Sequence, residues 1–297
     1  MSFFGRLGFP FVWRGPVPAD ASPDNEPADA SPDNEPADAP PDNGPGAAPN
    51  AHSHEPPQPF FPEPADVGAA RGILKSVGPG LPTELADMIL DRADYHVKDR
   101  KVFNPGVGGE TIVYSNKGST LVLQAPPIRK IEQQGPELRD LKIKAVRFEL
   151  ESHDQGWGGD QGTQGTYSSA WSWFEASIIR RCPVSDVDPL TPASQWSRVP
   201  EEWAPYYKRM GWDFVRDEND KVRLWPVQKN KVATKKTETH EIVWSPGGSF
   251  EGPGSGSGEG FVSSLRPGDV IQLWARAMFP GWVNYVITAA VEVDYAD

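Results

Sequence analysis

The stretch Asn284-Tyr-Val-Ile-Thr-Ala-Ala-Val-Glu-Val-Asp-Tyr295 decides the fold. Tyr285, Ile287, Ala289, Val291, Val293 and Tyr295 recur at every second position, set against Asn284, Thr288, Glu292 and Asp294. A period of two belongs to a strand with one buried and one wetter face. The same period appears earlier in the chain. Residues 270–279 place Ile271, Leu273, Ala275, Ala277 and Phe279 on one face, residues 171–180 do so with Phe174, Ala176 and Ile178, and residues 238–245 read as a further strand. Between 141 and 151 the phase slips, from Leu141 and Ile143 to Val146, Phe148 and Leu150, which predicts a β-bulge. Two short β-branched runs, 111–115 and 120–124, flank Asn116-Lys117-Gly118-Ser119 and predict a hairpin. Many strands with long Gly/Pro loops and no strand–helix alternation give a mainly β chain. The expected fold over 108–297 is an antiparallel β-sandwich, jelly-roll or galactose-binding-like.

Helical spacing is confined to two places. Leu81, Leu85, Met88 and Ile89 mark a leader helix over 80–97, with Pro82 where a first turn tolerates proline. Trp203, Tyr206, Tyr207 and Met210 mark a helical insertion packed by aromatics. Upstream, residues 1–72 form a different polymer: 11 acidic against 3 basic side chains and 16 of the 32 prolines. Residues 18–44 there write PADASPDNE twice and then the decayed PADAPPDNG. Nothing in that unit is larger than Ala and burial-prone, and proline removes backbone donors, so a disordered acidic spacer is expected. Most of the chain's net charge of -12 resides in this tail.

Composition excludes several classes. No apolar run approaches the roughly 20 residues of a membrane-spanning helix, and the single Cys182 rules out an internal disulfide framework. No cofactor and no metal site are expected: His52 and His54 have no third ligand beside them. The sequence has no dense basic stripe; the lysines at 229, 231, 235 and 236 read as a guarded strand edge, so nucleic acid is not expected as a partner. The glycine-rich 247–260 segment lacks the lysine and following helix of a phosphate loop and reads as a flexible excursion.

Ser152-His-Asp-Gln-Gly-Trp157, the Trp171-Ser-Trp173 segment and Phe279-Pro-Gly-Trp-Val-Asn284, together with LPTEL at 81–85, resemble a group of fungal proteins that join an LPxEL-type leader helix, or ankyrin repeats, to a Trp-rich β domain. The resemblance spans about residues 80–297. It implies a fungal intracellular protein, cytoplasmic or nuclear, and transfers no activity. LPTELADMIL also resembles the first helix of an F-box, over that one helix alone, which implies docking on a ubiquitin-ligase adaptor through Leu81, Leu85 and Ile89; the other reading of the same spacing is an amphipathic helix that packs on the domain behind it.

The best-equipped loop is 152–162. His153, Asp154, Gln155 and Trp157, with Trp171, Trp282 and Asn284, are the candidate ligand-binding residues, expected to line a polar-aromatic cleft at one end of the sandwich. Three readings follow: a non-catalytic module that recognises a protein or peptide, a lectin-like carbohydrate binder, and a hydrolase centred on His153. No catalytic residue is assigned, because His153 has no Ser or Cys in a nucleophile elbow near it.

Overall fold

A computed structural model describes residues 60–106, 108–130, 142–182 and 200–296. The nine-residue repeats and the His52/His54 pair lie outside these. In chain order the strands are β1 (Lys98–Phe103), β2 (Thr111–Tyr114), β3 (Ser119–Gln124), β4 (Lys142–Asp154) and β5 (Ser172–Arg181). They are followed by β6 (Trp212–Phe214), β7 (Trp225–Lys229), β8 (Glu238–Trp244), β9 (Val270–Ala277) and β10 (Val283–Ala296). One antiparallel sheet is ordered β1-β10-β4-β8, with β2 also on β10; the other is β3-β9-β5-β6, with β7 also on β5. Since β4 takes one side of β10, β1 and β2 lie in line along the other, and β6 and β7 share one side of β5 in the same way. The strands β2, β10, β4 and β8 thus face β3, β9, β5 and β7, the order of a jelly roll.

One continuous core fills the space between the sheets. Phe148, Leu150, Ile242, Trp244, Val291 and Val293 from the first sheet meet Phe174, Ala176, Ile178, Ile271 and Leu273 from the second. The outer face of the second sheet is also apolar at one end, where Ile179, Val270 and Trp274 pack with Tyr207 and Trp212. Tyr207 comes from a helix over Pro200–Arg209, so the aromatic insertion read from 203–210 covers a sheet face.

Both phase effects in the long strands have structural counterparts. The register of β10 on β4 shifts between Asp294 and Tyr295, opposite Ala145 and Ile143, where the slip in 141–151 predicts a bulge. A second shift, between Val286 and Thr288, breaks the alternation expected to run unbroken from 284 to 295. One extra residue turns every side chain before it to the other face. Asn284 and Val286 therefore point inward, while Tyr285 is only half-buried.

Other expectations require correction. Residues 111–124 are not a hairpin, because β2 pairs with β10 and β3 with β9. A short 3-10 turn, Ser115–Lys117, and Gly118 at a φ of 74° carry the chain from one sheet to the other. The tail assigned to 1–72 overlaps a helix, α1 (Pro64–Ser76). Its acidic, proline-bearing start is a helix N-terminus: Pro64 opens the first turn and Asp66 Oδ2 accepts the Glu63 N–H at 2.9 Å. The leader helix is shorter than 80–97: α2 (Thr83–Arg92) ends before β1, which extends the sandwich upstream of 108. The 247–260 segment is seated on the domain. Its carbonyls at Gly256 and Glu259 accept the indole N–H groups of Trp244 and Trp225, and a Cβ at Gly258 would collide with the Trp244 ring.

Candidate functional site

The candidate residues divide into an inner polar group and an outer aromatic group. Asn284, turned inward by the bulge, donates from Nδ2 to the carbonyls of Trp173 at 2.9 Å and Arg276 at 3.3 Å in the opposite sheet. Its Oδ1 accepts from Asn230 Nδ2 at 2.9 Å. Asn230 also donates to Ser172 Oγ and accepts the Ser152 hydroxyl at 2.7 Å. Ser152, Ser172, Asn230 and Asn284 form a buried plug that ties the sheets together. Gln155 is likewise spent, its Nε2 on the Trp157 carbonyl and its Oε1 on the Val283 N–H.

Asp154 ends β4 and its side chain is fully buried. Its carboxylate accepts three backbone N–H groups: Gly156 and Thr234 on Oδ1, each at 2.8 Å, and Ala233 on Oδ2 at 2.6 Å. Burial pushes this carboxyl above the usual range, and the three donors act against that shift. The clamp holds Ala233 at a φ of 55°, a conformation costly for a residue with a Cβ. Part of the lysine run is therefore a loop tied down by Asp154, with Lys231 paired to Glu238 at 3.1 Å. Replacing Asp154 by Ala leaves three donors without their acceptor, and a loss of about 2–3 kcal/mol in chemical unfolding is expected.

His153 lies on the outer face of the first sheet. Its ring stacks on Tyr285 at 4.6 Å, Nδ1 donates to the Asp154 carbonyl at 2.7 Å, and Nε2 is 4.0 Å from Glu110. The neighbouring hydroxyl, on Ser152, points the opposite way into the plug. His153 and Asp154 thus serve different faces.

The aromatic residues are on the surface. Trp157 is 60 % exposed and its ring lies on Gly281, where a Cβ would stand 2.9 Å from it. Trp171 is exposed and meets Phe279 edge-on at 4.7 Å. Phe279 is 50 % exposed; sequence reasoning placed it on a strand face and in the 279–284 string but not among the candidate binding residues. Its φ is 67°, a left-handed conformation that costs a bulky residue on the order of 1–3 kcal/mol. Met278 and Tyr114 add exposed surface, and Trp282 is half-buried, its carbonyl accepting the Ser115 N–H at 3.3 Å. The loop after β4, the start of β5 and the β9–β10 turn therefore build an aromatic rim at one end of the sandwich. Of the polar members of the expected cleft, Asp154, Gln155 and Asn284 are buried beneath it and His153 lies on the outer face of the first sheet.

No protein-family model matches the chain, and no curated protein matches it.

At the other candidate surface, α1 and α2 are joined by an Arg71–Asp87 ion pair of 2.6 Å and rest on the sandwich through Val67 and Leu90. Leu85 and Ile89 are each 45 % exposed and Met88 still more so, while Leu81 is half-buried. Among the described residues no helix is long and apolar enough to cross a membrane.

Proposed function

We propose that the chain is a non-catalytic recognition module that binds a protein or peptide on the rim of Trp157, Trp171, Met278 and Phe279. The observation that carries this reading is Phe279, a large apolar side chain both exposed and held in a strained backbone conformation. Strain retained without burial indicates a role other than packing. Exposed aromatic anchors are what protein interfaces use most heavily. A sugar platform needs polar groups free to bond hydroxyls beside the ring, and Asp154, Gln155 and Asn284 already hold the scaffold. The rim thus favours a protein over a glycan.

The F-box-like reading has separate support in the outward set of Leu85, Met88 and Ile89, which the sandwich leaves uncovered. In that version the helix docks a ubiquitin-ligase adaptor while the rim holds the substrate.

The test is quantitative mass spectrometry of proteins captured by the tagged chain, beside a Trp157→Ala/Phe279→Asn variant and a Leu85→Arg/Ile89→Arg variant. Asn tolerates the left-handed conformation, so the first variant keeps its turn. Partners lost at least tenfold with the rim variant are expected, with adaptor and cullin subunits lost with the helix variant alone. Identical captures from the wild type and the rim variant, or a glycan-array signal abolished by Trp157→Ala, would overturn the protein-binding reading.

A further inference from the structure

The far end of β5 carries a second feature, independent of the rim. From Ser172 to Arg181 the strand spans about 30 Å, and two adjoining cavities open where it finishes. The larger, about 670 Å³, is lined by Arg180, Arg181, Arg216, Arg223 and Arg266; the second, about 440 Å³, shares Arg180, Arg181 and Arg266 and adds Lys130. Among the described residues, six cationic side chains face two carboxylates, Asp213 and Asp269. This concentration occurs in a chain whose net charge is -12. The contributing residues are spread from 130 to 266, so no basic run announces them.

Their engagement is uneven. Arg180 is fixed by a bidentate pair with Asp269, at 2.8 and 2.7 Å, and Arg216 by Asp213 at 3.1 Å. Arg181 lies over the Trp212 ring at 5.3 Å. Arg223 lies over the Trp225 ring at 4.7 Å, a contact that orients its guanidinium without neutralising it. Arg223 and Arg266 make no ion pair among the described residues, and Arg266 is exposed. Guanidinium forks from β5, from the turn before β7 and from the turn before β9 thus converge on one opening. A carboxylate is satisfied by one fork, whereas a tetrahedral dianion presents three oxygens and takes several. The volume falls within the range of sites for small organic ligands, so there is room for whatever carries the anion.

We infer that this trough binds a phosphate monoester. The group is carried either on a phosphorylated peptide or on a small molecule, and the arms of the test separate these. Fluorescence anisotropy on the full chain would use a degenerate phosphoserine peptide library, its unphosphorylated twin, O-phosphoserine and inorganic phosphate. The phosphorylated library should bind at least tenfold more tightly than its twin and weaken as salt rises. Arg266→Gln, at an exposed position, should fold normally by thermal melting and reduce that affinity at least tenfold, whereas Lys229→Gln on β7 should leave it unchanged. Displacement by O-phosphoserine as effective as by the phosphopeptide assigns the site to a small phosphate monoester; displacement by peptide alone assigns it to a phosphoprotein. Equal binding of the two libraries, no effect of Arg266→Gln, or tighter binding of single-stranded RNA than of any phosphopeptide would each overturn the assignment.

Discussion

Asn284→Ala is expected to destabilise the domain by about 3–4 kcal/mol, read as a lower urea midpoint at unchanged slope. The Asn284 amide bonds the first sheet directly to the second at this end. Its removal takes a donor from the part-buried carbonyls of Trp173 and Arg276 and leaves one donor of the buried Asn230 without its acceptor. Each unsatisfied group costs about 1–3 kcal/mol, and the space left behind adds to the loss because neighbouring strands cannot close over it. The sequence presents Asn284 as a ligand-binding candidate beside Trp282, and a binding residue would be expendable for folding. A large loss of stability therefore separates the structural role from the functional one.

Asp294→Ala should cost about 1.5–3 kcal/mol, because it removes a buried carboxylate that accepts from Arg147, while Lys98 keeps Asp94 at 2.6 Å and Arg147 keeps Glu241 at 3.5 Å. On the outer face of the first sheet, Arg147 Nε lies 2.8 Å from Asp294, His96 Nε2 3.8 Å and Lys98 Nζ 3.9 Å. A neighbouring row joins Arg100 to Glu149 at 2.6 Å and to Glu292 at 3.2 Å. Burial alone would raise the Asp294 carboxyl; His96, Arg147 and Lys98 override it and hold it at about 2, below the ordinary 3.8. The unfolded chain thus takes up this proton first as pH falls. The contribution of Asp294 is complete above about pH 4 and is lost progressively toward pH 2. Asp294→Asn, close in shape, should flatten that part of the pH–stability curve, measured by urea unfolding between pH 2 and 5.

These two residues also show what the sequence could and could not convey. Alternation in 270–279 and 171–180 places Ile271, Leu273, Phe174 and Ile178 in the core, because apolar period two is a local signal. The bulge at 286–288 leaves no such signal, since Asn284 and Thr288 on either side of it keep the polar phase running without a visible slip, and so the inward turn of Asn284 was hidden. The helix at 64–76 was masked by its proline and acidic start, features that serve a helix N-terminus and a spacer equally well. Asp154 and Gln155 read as site residues because their polarity shows while their backbone partners, such as Ala233 and Val283, are set only by tertiary contact. Trp157 and Trp171 were legible as surface candidates. Phe279 was not, because its strain is a matter of backbone angle, and the arginine trough was not, because five separate segments supply it.

The most direct test sets the urea midpoint of Trp157→Ala/Phe279→Asn beside that of Asn284→Ala. An exposed rim over a load-carrying polar plug predicts that the double variant stays within about 1 kcal/mol of wild type, because exposed rings contribute little and Asn relieves strain at 279, while Asn284→Ala loses several times as much. A double variant that unfolds as readily as Asn284→Ala would contradict the account, since the aromatic residues would then be core and no recognition surface would remain at this end.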